Sequence, residues 1–116
     1  MDIAKDRNEL ILLPLQTLSF DEDDTEKSFD IDGRGLIHTI VMTVPNFTNV
    51  VTATLTVTNQ DGVEIYNSTA KAKNATYSLT QLWDKVPIVG SNTVKVTLSG
   101  AAGGTGGDVT VSVYMI

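Results

Sequence analysis

The chain has 116 residues, a length for one domain, and a domain of this size buries roughly two-thirds of the surface its unfolded chain exposes. It contains no cysteine, which excludes disulfides, thiolate nucleophiles and Cys-based zinc or iron–sulfur sites. Fourteen acidic against eight basic residues leave a formal charge of −6, which argues against nucleic acid and against an anionic membrane surface, since both demand a face rich in lysine and arginine.

The N-terminal stretch MDIAKDRNELILLPLQ mixes both charge signs ahead of a short apolar run and has no small-residue cleavage site. It does not read as a secretory signal, and no run is long enough to span a bilayer. The expectation is a soluble chain made and kept in a cytoplasm, or in a cell that later lyses. The three N-x-S/T sequons at Asn46, Asn67 and Asn74 would matter only in a secreted eukaryotic setting. Within the first segment, ELILLPLQ is apolar without alternation and is stopped by Pro14, which suits an arm or edge strand that docks on something. The alternative is that Leu10, Ile11, Leu12 and Leu13 complete the protein's own core. The division is an arm over residues 1–14 and a folded domain over 15–116, with Leu10, Ile11, Leu12, Leu13 and Pro14 as candidate partner-binding residues.

Half of the acidic residues fall in DEDDTEKSFDID, Asp21 to Asp32, which reads as a solvated segment kept extended by self-repulsion. The overlapping SFDIDGRG approaches the calcium loop D-x-[DN]-x-[DN]-G: with Gly33 at the sharp turn, Ser28, Asp30 and Asp32 take ligand positions. Thr39 then stands where a bidentate Glu is required, so no dedicated metal site is expected, and a turn between Ile31 and Leu36 accounts for both glycines.

Downstream the chain alternates. From Val51 to Thr58, Val51, Ala53, Leu55 and Val57 share one side and four threonines the other, the period of a strand packed on one face. Asn59 to Gly62 follows, and Asp-Gly between two alternating runs predicts a hairpin to the strand around Ile65. Further strands are expected at Thr17–Phe20, Ser28–Ile31, Leu36–Val44, Thr76–Leu79, Thr93–Leu98 and Val109–Met115. Thr80 to Lys85 is the one helical candidate, a turn capped by Thr80 and ended before Pro87, with Leu82 and Trp83 plugging the core or Trp83 facing a binding site. About eight short strands without a long helix make the fold class all-β: a single antiparallel β-sandwich, jelly-roll or immunoglobulin-like Greek key.

The glycine-rich SGAAGGTGGDV, Ser99 to Val109, fails both phosphate motifs. A dinucleotide fingerprint would need glycine where Val109 stands, a P-loop needs a lysine, and each needs a helix behind it. The following strand makes the segment a connection, most simply a hairpin. His38 is the single histidine and is expected on the side of its strand that carries Leu36, Ile40, Met42 and Val44, so a Ser-His-Asp set would have to be built around one apolar-face residue. No enzymatic activity and no cofactor are expected.

Taken together, TATLTVTNQDGVEIYNS, VPIVGSNTVKVTLSG, the glycine tip and the closing DVTVSVYMI resemble the small all-β auxiliary proteins of tailed bacteriophages, especially those that decorate the capsid surface, over roughly residues 36–116. That resemblance implies a non-enzymatic virion structural protein, a capsid decoration or cement protein. It would bind the major capsid protein lattice and copies of itself, often as a trimer, and stabilise the head from the capsid surface after synthesis in the host cytoplasm. Other readings are a phage tail, baseplate or head-fibre component, or a carbohydrate or cell-surface adhesion module whose apolar platforms would be Trp83, Tyr66, Tyr77 and Tyr114.

Overall fold

The computed structural model describes residues 11–79 and 86–116. Among the described residues there are nine strands and no helix: β1 (Ile11–Leu12), β2 (Gln16–Phe20), β3 (Glu26–Val44), β4 (Thr52–Thr58), β5 (Glu64–Asn67), β6 (Lys71–Ala72), β7 (Ala75–Ser78), β8 (Val86–Leu98) and β9 (Gly107–Met115). All pairings are antiparallel, so the expected all-β sandwich is the fold. The helical turn expected at Thr80–Lys85, with Leu82 and Trp83, lies outside the described residues.

The long strand β3 belongs to both layers. Its first part, Glu26 to Ile37, pairs with β8, and β8 pairs on its other side with β4, which carries β5 and β6. Its second part, from Ile37 to Val44, lies between β9 and β7, and β9 carries β1 and β2 on its far side. The inward faces of both halves form one core, with Leu55, Val57, Val94 and Val96 from one and Ile40, Met42, Val109 and Val111 from the other all fully buried. Each such side chain contributes about 1.5–3 kcal/mol by leaving water, and the threonines between the β4 residues stay half-buried on the outer face.

Two strands expected on either side of a turn at Ile31–Leu36 are therefore one strand. Gly33 and Gly35 sit inside the ladder, opposite Gly90 and Ile88, and they bend it without ending it. Gly35 has φ of +149°, and a Cβ there would lie 3.0 Å from the Ile116 carbonyl oxygen and 3.2 Å from Met115 Cε. That close approach lets Leu36 and Ile116 exchange two backbone hydrogen bonds, at 3.1 and 2.9 Å. Just beyond, the register to β9 shifts between Ile37 and Thr39, so His38 is the extra residue of a bulge. The shift reverses which residues point inward. Ile37 is buried before it and Ile40, Met42 and Val44 after it, while Leu36 is exposed and His38 half-buried. The expectation that Leu36 and His38 share a side with Ile40 assumed an unbroken period of two.

The predicted β4–β5 hairpin is present, with Val57 opposite Tyr66. Asn59 Oδ1 accepts hydrogen bonds from the Asp61 and Val63 amides, both at 3.0 Å, and Gly62 takes φ of +82°. Strand β8 begins at Val86, earlier than Thr93. Its Val86–Gly90 part pairs with β3 but extends past β4, so Pro87, which has no N–H to give, sits where one side of the strand carries no ladder.

The glycine segment is not a hairpin, because β8 and β9 do not pair with one another. It is an arch from one layer to the other, packed on its own chain: the Gly103 amide donates to the Glu22 carbonyl at 2.9 Å, and the Asn49 amide and Asn49 Nδ2 donate to the Ala102 and Ala101 carbonyls at 3.0 Å. Ala102 is fully buried. At Gly106, φ is +76° and a Cβ would fall 1.8 Å from the Phe20 carbonyl oxygen. Phe20 itself meets Phe47 edge to face, with ring centroids 6.0 Å apart.

Two predictions test this geometry. Deleting His38 restores the simple alternation and turns Ile40, Met42 and Val44 outward, so the variant should lose cooperative thermal unfolding, whereas His38→Ala should cost on the order of 1 kcal/mol and keep it. Replacing Ala101–Gly106 with a two-residue Asn-Gly turn cannot span the layers, and circular dichroism and proteolysis should show a chain without native packing.

Candidate partner-binding edge

Strand β1 forms because residues 11–13 can ladder onto the end of β9. Ile11 lies opposite Met115 and Leu12 opposite Tyr114, and the Leu13 amide donates to the Val113 carbonyl at 2.9 Å. Pro14 then interrupts the ladder, having no donor. Pairing with β9 resumes at Gln16, whose Nε2 reaches back to the Pro14 carbonyl at 3.3 Å. The two strands form one edge of the layer; among the described residues their far side pairs with nothing, which leaves backbone donors and acceptors open.

The side chains divide between core and solvent. Leu13 packs against the core, whereas Ile11 is 58% exposed, Leu12 57% and Leu15 60%, with Pro14 exposed between them. Of the five residues named from the sequence as partner-binding, Ile11, Leu12 and Pro14 thus lie on the surface, Leu13 anchors the segment, and Leu10 lies outside the described residues. Leu15 was missed, although it stands directly after the proline in the same apolar run. Its exposure follows from the break at Pro14.

Beside this strip runs a cleft of about 160 Å³. Leu13, Pro14, Gln16 and Val113 line it, together with Phe29 to Asp32 of β3. Asp30 Oδ1 accepts a hydrogen bond from Thr93 Oγ1 at 3.0 Å, and Asp32 is exposed. The edge therefore offers large apolar side chains, an open strand backbone and two flanking carboxylates. This set suits a protein surface with an apolar centre and basic margin.

The other sequence candidates do not assemble into a chemical site. Ser28, Asp30 and Asp32 lie in the β3–β8 ladder opposite Lys95, Thr93 and Ser91, so successive members stand about 6–7 Å apart along extended backbone and do not converge. Among the described residues no group of three or more His, Asp or Glu side chains is placed to hold a metal ion. His38 Nδ1 meets Thr39 Oγ1 at 2.7 Å within the bulge.

No protein-family model matches the chain, and no curated protein matches it. Among solved structures it is similar to a chain of the infectious bursal disease virus Gx strain structure, at 12% identity and a TM-score of 0.41 over 93% of this chain and 32% of that one. It is also similar to a chain of the T=1 particles derived from infectious bursal virus, at 12% identity and a TM-score of 0.33 over 92% and 31%. The chain thus spans about a third of the length of those chains, and likeness at these scores carries no statement about function.

The acidic connection from β2 to β3 has one defined electrostatic contact. Asp24 Oδ2 accepts the Asp21 amide at 2.8 Å and lies 3.3 Å from Lys27 Nζ. The backbone hydrogen bond, helped by the lysine and opposed by partial burial, lowers the Asp24 pKa below its ordinary 3.8. A carboxyl lowered in the folded state stabilises the fold fully above its unfolded pKa and loses that contribution as pH falls through the folded value. Denaturant unfolding from neutral pH to below pH 3.8 should therefore show a shallower acid loss for Asp24→Ala than for the wild type.

Proposed function

We propose that the chain is a structural protein of a virus particle, a decoration protein that docks on the major capsid lattice through its N-terminal edge. The observation that carries this reading is the exposure of Ile11, Leu12 and Leu15 on a segment held by hydrogen bonds to β9. Three large apolar side chains more than half exposed within five residues cost solubility unless a partner covers them. Their fixed backbone lowers the entropy lost on docking. The resemblance to small all-β phage auxiliary proteins supplies the kind of partner. A homo-oligomer, as a trimer at symmetric lattice positions, would make modest single contacts add through linked copies.

The test is removal of residues 1–12. Strand β2 keeps its five paired residues on β9, so the truncated chain should remain folded. It should lose at least about tenfold in affinity, as 1.4 kcal/mol of lost contact would give, in co-sedimentation with expanded capsid shells of the encoding virus. Leu12→Asp and Leu15→Asp in the full chain should give the same loss, and unchanged binding by all three overturns the reading.

A further inference from the structure

A second cavity, of about 230 Å³, shares no residue with the cleft at the N-terminal edge. It lies between the β4–β5 turn, through Asn59, Gln60 and Asp61, and the extension of β8, through Pro87, Val89 and Asn92, with Ile65 completing the wall. Asn92 occupies an inward position on β8, in the same alternation as Ile88, Val94, Val96 and Leu98. Apart from Gly90, every other member of that series is aliphatic. The Asn92 side chain is fully buried; its Nδ2 donates to the Val89 and Gly90 carbonyls, each at 3.2 Å, and among the described residues its Oδ1 has no hydrogen-bond partner. A buried acceptor left empty is a standing cost to the fold.

The remaining groups define what would fill it. Asn59 Oδ1 is committed to two backbone amides. The Gln60 side chain lies directly over Gly90, where a Cβ would come within 2.0 Å of Oε1, and so covers a residue whose carbonyl accepts from Asn92. Asp61 is exposed at the turn and brings a carboxylate to the mouth. The site thus pairs one deep neutral acceptor with one peripheral negative charge and an apolar wall of Ile65, Pro87 and Val89, in a chain of net charge −6. The matching ligand is a cation with several donors on an apolar stem. An ammonium is strongly hydrated and loses too much against a neutral amide oxygen, whereas a guanidinium is weakly hydrated and planar, and its methylenes lie well on apolar surface.

We propose that this cavity takes an arginine side chain of a partner protein, the guanidinium donating to Asn92 Oδ1 and the Asp61 carboxylate once Gln60 swings off Gly90. The site is independent of the N-terminal edge and of the capsid reading, because its test needs only the isolated full chain. Nα-acetyl-arginine N-methylamide is titrated into ¹⁵N-labelled protein. Saturable shifts should appear in the Asn92 side-chain amide and in the backbone of residues 59–65 and 87–92. Asn92→Leu, which continues the aliphatic series, and Asp61→Asn, which keeps the turn, should each weaken binding about tenfold or more, and the lysine analogue should bind less well than arginine. Absence of saturable shifts, equal binding of the lysine analogue or of methyl glucoside, or unchanged affinity in Asp61→Asn overturns the proposal. Because Asp61 is exposed and outside the core, that last outcome decides even where Asn92→Leu does not fold.

Discussion

One residue of extra backbone, His38, determines which faces of β3 meet the core. Before it the inward positions are odd-numbered, through Ile31 and Ile37, and after it they are even-numbered, through Ile40, Met42 and Val44. A strand with an unbroken period of two would present these two sets to opposite sides. The bulge rotates the second half so that both sets enter the same interior, and a single strand then serves two layers. The corner is closed by the mutual hydrogen bonds of Leu36 and Ile116, for which Gly35 leaves room. Both layers inherit their register from this point, since β8 begins its pairing at Ile37 on one side and β9 at Ile37 on the other.

The two layers end in surfaces of different character. At the N-terminal edge the strand ladder is short: Ile11 and Leu12 lie at its end and remain in water, and Leu15 is exposed because the register to β9 gains one residue between Leu13 and Gln16, which breaks the alternation begun at Leu13. At the β8 extension the polar group is inside and the apolar wall faces a cavity. The first surface is broad and suited to a protein face; the second is narrow and suited to one side chain. Their linings share no residue, yet Ile31 in the cleft beside the edge is the ladder partner of Asn92 in the cavity wall.

Much of this was legible in the sequence because local chemistry decided it. The Val51–Thr58 alternation and the Asn59–Gly62 turn fixed β4, β5 and their pairing, and the final alternation located β9. What escaped notice depends on distant partners. A bulge at His38 leaves no mark in a run of β-branched residues, and the glycines at 33 and 35 read as a turn because their role, close approach to Ile116, involves a residue far along the chain. The arch through Ala102 and Gly106 read as a hairpin for the same reason: its glycines answer to Glu22, Asn49 and Phe20 rather than to each other. At the candidate edge the apolar run was visible, but the division between Leu13 inward and Leu15 outward needed the position of β9. Asn92 gave no signal, since only burial without a partner makes an asparagine unusual.

The position of β9 in chain order constrains how the molecule is made. It follows all the other described strands, yet β1, β2 and the second half of β3 all pair with it. On a ribosome, β4 and β5 can close their hairpin early, but the layer carrying the N-terminal edge cannot exist until Gly107–Met115 has emerged. Until then residues 11–20 and the bend of β3 hold open strand edges and apolar side chains in the presence of other nascent chains. Unpaired strand edges and apolar surface exposed over that interval are what makes a nascent chain prone to misassembly, whatever the stability of the finished domain.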